Sequence, residues 1–259
     1  HGLDIQIIKK NWLKKIIAKK ILKRAHLVTA NSEFTKKLIK ELSPSVNCLV
    51  IYPAANELPK AEKTAQEQLS TQYQLTDKPI LLSVSRLVKR KGQDLIIKSL
   101  PKLWQKFPNL IYVCIGSGPE QNQLQNLTTQ TPRSNQIIFL NQVTDQELTN
   151  WYSLATLFVL PVYQDINDPE GFGMVYLEAN SFGLPVIGSQ TGGIPEAINN
   201  GYSGLLIKPG DASELTKSID LLLSNEDLFK KIQQQAPLWA KKFNWTQGAT
   251  LFYSALNRL

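Results

Sequence analysis

The sequence has little of what marks several protein classes. Its two cysteines, Cys48 and Cys114, lie far apart with no CxxC motif, which excludes a disulfide framework and a cysteine-rich zinc site. Its longest apolar stretches, such as Cys48 to Ile51 and Leu157 to Pro161, are far shorter than the roughly 18 residues needed to cross a bilayer. No transmembrane helix is expected, and the expected compartment is the cytoplasm.

Acidic residues are scarce in the first 26 positions, where only Asp4 is acidic. This segment carries a charge of +7 out of the net +8. Elsewhere the sequence has no basic patch with interleaved aromatic residues, so nucleic acid is not an expected partner. The basic residues of the segment are Lys9, Lys10, Lys14, Lys15, Lys19, Lys20, Lys23 and Arg24.

The same segment has a helical pattern of apolar residues. They recur at a spacing that predicts an amphipathic helix with a lysine-rich face. Two functions are open for it: packing on a neighbouring domain, or peripheral contact with anionic lipid at the inner face of the membrane. The apolar residues are Trp12, Leu13, Ile16, Ile17, Ile21 and Leu22.

From position 26 onward, strand and helix patterns alternate. This alternation predicts an α/β fold with a doubly wound parallel sheet, interrupted by a polar connection with a short helix at Asn56 to Thr76. The predicted strands are 26–30, 48–52, 80–85, 110–115, 136–140, 157–161, 185–188 and 204–207. The predicted helices are 35–42, 93–107, 120–129, 145–155, 174–182 and 194–199, then two more and a last one at 246–259.

In such a sheet, ligands bind at the carboxyl ends of the strands, and two of the loops there are only moderately informative. Residues 85–92 hold four basic residues and a glycine at a helix start, which suits a phosphate or diphosphate but equally a solvated basic turn. Residues 116–120 are glycine-rich, but Gln121 stands where a dinucleotide motif needs its third glycine. A tight turn is favoured there, although a ligand could also approach the backbone.

The loop and helix at 168–179 are the most specific segment. Glu170 precedes a predicted helix, Gly171 and Gly173 expose amides at its start, and Glu178 lies within it. Carboxylates accept hydrogen bonds from sugar hydroxyls and helix-start amides receive phosphate. Together with the downstream Gly192–Glu196 segment, this favours a nucleotide-sugar over a helix-dipole acid plus a surface glutamate.

Five segments in order closely resemble the donor domain of family-4 retaining glycosyltransferases. They are SVSRLVKRKGQDLII, VCIGSGPE, EGFGMVYLEA, FGLPVIGSQTGGIPEAI and GYSGLLIKPGD, within residues 80–245. The resemblance implies the GT-B fold: a Rossmann-like donor domain at 53–245, an incomplete acceptor domain at 1–52 and a returning helix at 246–259.

The resemblance also implies roles for individual residues. Arg86 and Lys91 would bind the donor diphosphate, Glu170 the transferred sugar, and Glu178 the ribose. His1 would reach the donor sugar from the acceptor side, so the catalytic set would be His1, Arg86, Lys91 and Glu170. The other donor-binding positions would be Gly118, Gln142, Val143, Gly171, Phe172 and Gly173.

The implied reaction is transfer of a sugar from a UDP-, GDP- or ADP-sugar to a lipid, polysaccharide or other glycan, with retention and without cofactor or metal. Because the sequence starts at His1, we expect a chain that begins inside a longer protein and transfers sugar negligibly by itself. The alternative function is a nucleotide-sugar-binding module without transfer activity. A nicotinamide dehydrogenase is disfavoured by the incomplete glycine motif.

Overall fold

The computed structural model describes residues 2–55 and 58–258. The helices in these residues are α1 Gly2–Lys10, α2 Trp12–Arg24, α3 Glu33–Leu42, α4 Lys63–Gln72, α5 Gln93–Lys106, α6 Gln121–Thr129, α7 Asp145–Leu154, α8 Met174–Ser181, α9 Ile194–Ala197, α10 Ala212–Ser224, α11 Glu226–Ala240 and α12 Trp245–Leu256. The strands are β1 Val28–Ala30, β2 Cys48–Val50, β3 Ile80–Val84, β4 Ile111–Ile115, β5 Ile137–Leu140, β6 Leu157–Leu160, β7 Val186–Ser189 and β8 Gly204–Ile207.

The larger sheet is parallel and has the strand order β5-β4-β3-β6-β7-β8. From β3 the chain builds outward through β4 and β5, then returns to the other side of β3 at β6. The strand order therefore reverses between β3 and β6, and a crevice forms where loops leave such a switch point in opposite directions. The predicted doubly wound α/β sheet is confirmed, and its switch point places the loops at 85–92 and 161–173 side by side.

Helices cover both faces of this sheet because successive strand side chains point to opposite faces. Leu81 packs in a core layer with Leu100 of α5 and Ile219 of α10. Its neighbour Leu82 packs in the other layer with Leu177 of α8. All five of these leucine and isoleucine side chains are fully buried, and each such burial stabilises the fold by about 1.5–3 kcal/mol.

The first part of the chain forms a separate two-stranded parallel sheet of β1 and β2. Its small core contains Leu38 and Ile39 of α3 together with Ile5 of α1. The basic segment is two helices rather than the single one predicted, because Asn11 ends α1 and its side chain accepts a hydrogen bond from the Lys14 amide as the N-cap of α2. The division into domains at 1–52, 53–245 and 246–259 stays a prediction.

Helix α2 forms where the apolar periodicity predicts it, but none of its residues is buried. Trp12 is 69% exposed and Ile21 is 62% exposed. Helix α12, which starts one residue before its predicted position, also exposes Leu251 and Tyr253. Within the described ranges, no helix has the length and apolar character needed to cross a membrane.

Candidate active site

The two loops at the switch point meet at Gly92. The loop after β3 makes a short 3-10 turn at Lys89–Lys91, and Gly92 ends the turn with a φ of +74°. A Cβ atom at this position would lie 2.0 Å from the main-chain oxygen of Pro161, which follows β6. Glycine is required here both by the left-handed backbone and by this close approach, which brings the basic turn against the loop that carries Glu170.

Glu170 is the centre of an ionic cluster between these loops. Its Oε2 atom accepts hydrogen bonds from Lys91 Nζ at 2.5 Å and from Arg90 Nη1 at 2.6 Å, while Arg90 Nε donates to Asp168 at 2.7 Å. The side chains of Lys91 and Glu170 are only 11% and 16% exposed. Burial raises the pKa of the Glu170 carboxyl, but the charges and hydrogen bonds of Lys91 and Arg90 lower it by more than burial raises it. The pKa of Glu170 therefore lies below its usual range.

The structure brings Lys91 and Glu170 together directly, which their separate predicted roles did not indicate. Arg86 has an exposed side chain with no hydrogen bond or ion pair in the described part of the chain. Arg90 and Asp168 were not predicted as site residues. The sequence signal for them was a further cation beside Lys91 in the basic turn and an acid two positions before Glu170.

Two cavities divide most of the predicted donor residues between them. An open cavity of about 790 Å³ is lined by Arg86, Gly118, Gln142 and Val143, among others. A smaller one of about 280 Å³ is lined by Arg90, Asp168, Asn31, Pro53 and the residues at 169–174. The predicted donor-binding positions Gln142 and Val143 thus share the first cavity with Arg86, and Glu170 shares the second with residues 171–173.

The glycine-rich loop at 116–118 forms the tight turn favoured by its sequence. A Cβ atom at Gly116 would lie 1.9 Å from the Ser85 oxygen, and one at Gly118 would lie 2.2 Å from the Leu87 oxygen. The Leu87 amide also donates to the Ser117 oxygen at 2.9 Å. The loop is therefore pressed against the turn after β3 and forms one wall of the larger cavity.

Glu178 and Phe172 lie deeper than their predicted roles suggest. Glu178 is 5% exposed and accepts a hydrogen bond from the Tyr152 hydroxyl at 3.2 Å. Phe172 is 2% exposed, with its ring centroid 5.6 Å from that of Tyr52 and 5.5 Å from that of Phe243. Ribose binding by Glu178 stays a prediction, and so does phosphate or sugar binding by the amides at 171–173.

The first part of the chain contacts the segment after Glu170 through α3. The Glu196 carboxylate accepts hydrogen bonds from the Glu33 and Phe34 amides at 2.7 and 2.9 Å, and from the Tyr52 hydroxyl at 3.0 Å. Burial, together with the Glu196 carboxylate, raises the pKa of Tyr52 to about 12. Glu196 thus satisfies amides at the start of α3, where a helix favours negative charge.

Two site predictions are not settled by this geometry. His1 lies outside the described residues. In the described ranges, no group of three or more His, Cys, Asp or Glu side chains could hold a metal ion. Independence from metal stays a prediction.

Similar proteins of known sequence include two groups of transferases. The chain is 29% identical, over 97% of its length and 67% of the relative's, to the GDP-mannose-dependent alpha-(1-6)-phosphatidylinositol monomannoside mannosyltransferase of Mycolicibacterium smegmatis. It is 31% identical, over 68% of its length and 42% of the relative's, to the D-inositol 3-phosphate glycosyltransferase of Corynebacterium jeikeium.

Similar solved structures include Alr3699/HepE of Anabaena in complex with UDP and glucose, with a TM-score of 0.82 and 24% identity over 95% of this chain and 67% of that one. Sucrose-phosphate synthase of Thermosynechococcus elongatus has a TM-score of 0.80 and 24% identity over 96% of this chain and 62% of that one. The chain thus spans about two thirds or less of these proteins.

The family match agrees with the motifs and the sheet. Residues 65–239 match the family described as Glycosyl transferases group 1, and this range contains the switch-point loops, the ionic cluster around Glu170 and the glycine-rich wall of the larger cavity. The resemblance and the fold class predicted from the sequence are confirmed. The chain belongs to the group 1 glycosyl transferases and has a sheet of the GT-B type.

Proposed function

We propose that the chain provides the donor site of a retaining glycosyltransferase that moves a hexose from a nucleoside diphosphate to a lipid, polysaccharide or other glycan. The observation that carries the proposal is the largely buried cluster of Glu170, Arg90 and Lys91 at the switch point, whose side chains are 11–19% exposed. A carboxylate held there can accept hydrogen bonds from sugar hydroxyls. The Lys91 ammonium beside it can neutralise the phosphate that carries the sugar.

Arg86 and Lys91 are proposed as the groups that stabilise the leaving diphosphate. Negative charge builds up on the phosphate as its bond to the sugar breaks, and fixed cations and helix-start amides are most effective against charge that develops in the transition state. Arg86 lines the larger cavity and Lys91 reaches Glu170. A phosphate bound between them would need no divalent cation in this scheme.

We propose GDP-mannose as the first donor to test and UDP-glucose as the second, with an ADP-sugar as the remaining choice. The mycobacterial relative is GDP-mannose-dependent by name, and the HepE structures contain UDP or UDP-glucose. Because the chain spans only part of these proteins, we propose that residues 1–259 bind the donor but transfer sugar negligibly. In a protein with the full length of these relatives, we propose that transfer would require Glu170 and His1.

The test is calorimetric titration of the chain with GDP, UDP and ADP, then with GDP-mannose, UDP-glucose and ADP-glucose, each with and without EDTA. We expect one nucleotide to bind with EDTA present. Arg86→Ala or Lys91→Ala should weaken the binding of that nucleoside diphosphate by about 1.5–3 kcal/mol, the range for charged hydrogen bonds. The affinity for the same nucleoside without phosphate should stay unchanged.

The matched control is Arg133→Ala, because Arg133 is exposed and its guanidinium contacts only the Pro108 oxygen among the hydrogen bonds of the described residues. It should bind all nucleotides as the wild type does. If none of the six compounds binds, the proposed donor site is refuted. Loss of binding with EDTA would refute independence from metal, and equal losses for nucleoside and diphosphate would refute the assigned roles of Arg86 and Lys91.

A second proposal is that α2 contacts anionic lipid, which fits an acceptor that is itself a lipid. Its apolar side chains are exposed beside its lysines, the combination that binds anionic surfaces. The chain should sediment with vesicles of phosphatidylglycerol and phosphatidylcholine at low salt and leave them as salt rises. It should not sediment with pure phosphatidylcholine.

The matched variants for this proposal are Lys19→Gln with Lys20→Gln on α2, and Lys230→Gln with Lys231→Gln on α11. Each removes two exposed neighbouring cations. Only the α2 pair should reduce sedimentation. If the α2 and α11 double variants reduce sedimentation equally, any binding is due to net charge rather than to α2. If the chain binds equally to vesicles with and without phosphatidylglycerol, α2 is a packing surface for protein.

A further inference from the structure

Arg90 holds both ends of the loop at 163–170, which connects β6 to the Glu170 position. At one end, the Tyr163 amide donates a 2.7 Å hydrogen bond to the Arg90 main-chain oxygen. At the other, the Arg90 guanidinium donates to Asp168 and to Glu170. One residue therefore closes the loop through its main chain and its side chain together.

The loop is also folded on itself between these two ends. The Asp165 carboxylate accepts hydrogen bonds from the amides of Asn167 and Asp168 at 2.8 and 3.3 Å. Ile166 at its tip is 76% exposed. The loop is thus a small, closed unit at the rim of the 280 Å³ cavity, whose lining includes Arg90, Asp168 and Glu170.

Arg90 and Lys91 share one oxygen, the Oε2 atom of Glu170. A diphosphate bound by Lys91 would compete with Glu170 for its ammonium group. A carboxylate as buried as Glu170 is costly to leave without a cation. The Arg90 guanidinium bridges two carboxylates, with Nη1 on Glu170 and Nε on Asp168, and so supplies a second cation that does not depend on Lys91.

We propose that Arg90 is a positioning residue, which keeps the Glu170 carboxylate in place and the loop at 163–170 closed over the donor sugar while Lys91 engages the diphosphate. This role rests on the proposed donor site and assigns different functions to two neighbouring cations. Lys91 serves the leaving group, and Arg90 serves the sugar side. Arg90 need not touch the substrate for this role.

The first test compares affinities for GDP and GDP-mannose, or for UDP and UDP-glucose if that pair binds the wild type more tightly. Arg90→Gln should leave the dissociation constant of the nucleoside diphosphate within about twofold. It should reduce the extra affinity contributed by the sugar at least fivefold. Arg90→Lys should retain part of this gain, because one ammonium can bind Glu170 or Asp168 but cannot bridge both as the guanidinium does.

The control is Lys89→Gln, which removes a cation from the same turn. Lys89 binds Asp94 at 3.1 Å rather than Glu170, so both affinities should stay close to those of the wild type. An unchanged ratio of affinities in Arg90→Gln would overturn the proposal. So would an equal loss for the nucleotide and its sugar conjugate, since that would place Arg90 at the diphosphate.

A second measurement judges the loop without any ligand. Amide hydrogen exchange at 163–170 should accelerate in Arg90→Gln and, to a smaller extent, in Asp168→Asn, but not in Lys89→Gln. Protection equal to that of the wild type in Arg90→Gln would overturn the closure of the loop by Arg90. If the wild type binds none of the donors, the proposed function fails, while the exchange result still decides whether Arg90 holds the loop.

Discussion

The Ser32 hydroxyl donates a 2.7 Å hydrogen bond to the main-chain oxygen of Gly171, 139 positions further along the chain. The same oxygen atom of Ser32 accepts a hydrogen bond from the Thr35 amide at 3.0 Å and so caps α3. Ser32 is fully buried. The start of a helix in the first part of the chain is therefore joined to the residue that follows Glu170, which gives the two parts a direct mechanical connection at the proposed sugar site.

Ser32→Ala should lower the free energy of unfolding by about 1–3 kcal/mol, because it removes a helix cap and a buried hydrogen bond to Gly171. Ser32→Ala should also reduce the affinity for the nucleotide-sugar more than the affinity for the nucleotide. Asn11→Ala is the control, since Asn11 caps α2 without contacting the donor loop. Urea unfolding and titration with both ligands check this. An equal change in ligand affinity for the two variants would contradict the connection.

Glu196→Gln should loosen α3 and shift the titration of Tyr52. One amide oxygen cannot replace two carboxylate oxygens that accept from Glu33, Phe34 and Tyr52. The Tyr52 pKa should fall from about 12, but should stay above the ordinary value of about 10 because burial remains. A pH titration followed by NMR of ring-labelled tyrosine measures it.

The control for Glu196 is Glu147→Gln, since Glu147 also accepts hydrogen bonds at a helix start, in the capping box of α7. The titration of Tyr52 should be unchanged in that variant. If Tyr52 titrates alike in the wild type and in Glu196→Gln, burial alone sets its pKa. The Glu196 contact would then be of little energetic weight.

Local patterns made most of the fold predictable. Short continuous apolar runs, separated by helical patterns, located the strands, because parallel strands are buried on both faces and consist largely of apolar residues. The larger sheet, for example, begins with Ile80–Val84 as expected. The break at Asn11 was missed because apolar and basic residues continue past it. Its effect depends on one side-chain hydrogen bond to the Lys14 amide.

The site was less predictable than the fold, for a physical reason. Glu170, Arg86 and Lys91 lie in motifs, but the pairing of Lys91 with Glu170 joins residues 79 positions apart. Such a contact depends on how the strands cross at the switch point. The contact of Arg90 with Glu170 was missed for the same reason, since the sequence of a basic turn does not indicate which of its cations points toward the loop after β6.

Glu170 should stabilise the fold in a pH-dependent manner. Its pKa is lowered in the folded state, so its stabilisation is fully present above the unfolded carboxyl pKa of about 4.3 and is lost as the pH falls through the folded value. Glu170→Gln should therefore cost about 1.5–3 kcal/mol at pH 7. The difference from the wild type should shrink at pH 3.

Urea unfolding at pH 7, 5 and 3 measures this difference. The control is Glu67→Gln, because Glu67 is exposed and lies 4.0 Å from Lys63 on α4. Its effect should be small at every pH, as expected of an exposed ion pair. A difference for Glu170→Gln that stays constant from pH 7 to pH 3 would mean that the ionic contacts with Arg90 and Lys91 do not stabilise the fold.

Gly118→Ala should damage the larger cavity, because the new Cβ would lie 2.2 Å from the Leu87 oxygen and the loop at 116–118 would have to move. Gly201→Ala is the control, since its φ is +76° but no atom lies within 4 Å of the added Cβ. The control should cost about 1–2 kcal/mol of backbone strain and leave nucleotide affinity unchanged. Gly118→Ala should reduce the affinity for the nucleoside diphosphate at least fivefold, as measured by calorimetric titration. An unchanged affinity would remove the loop at 116–118 from the nucleotide site.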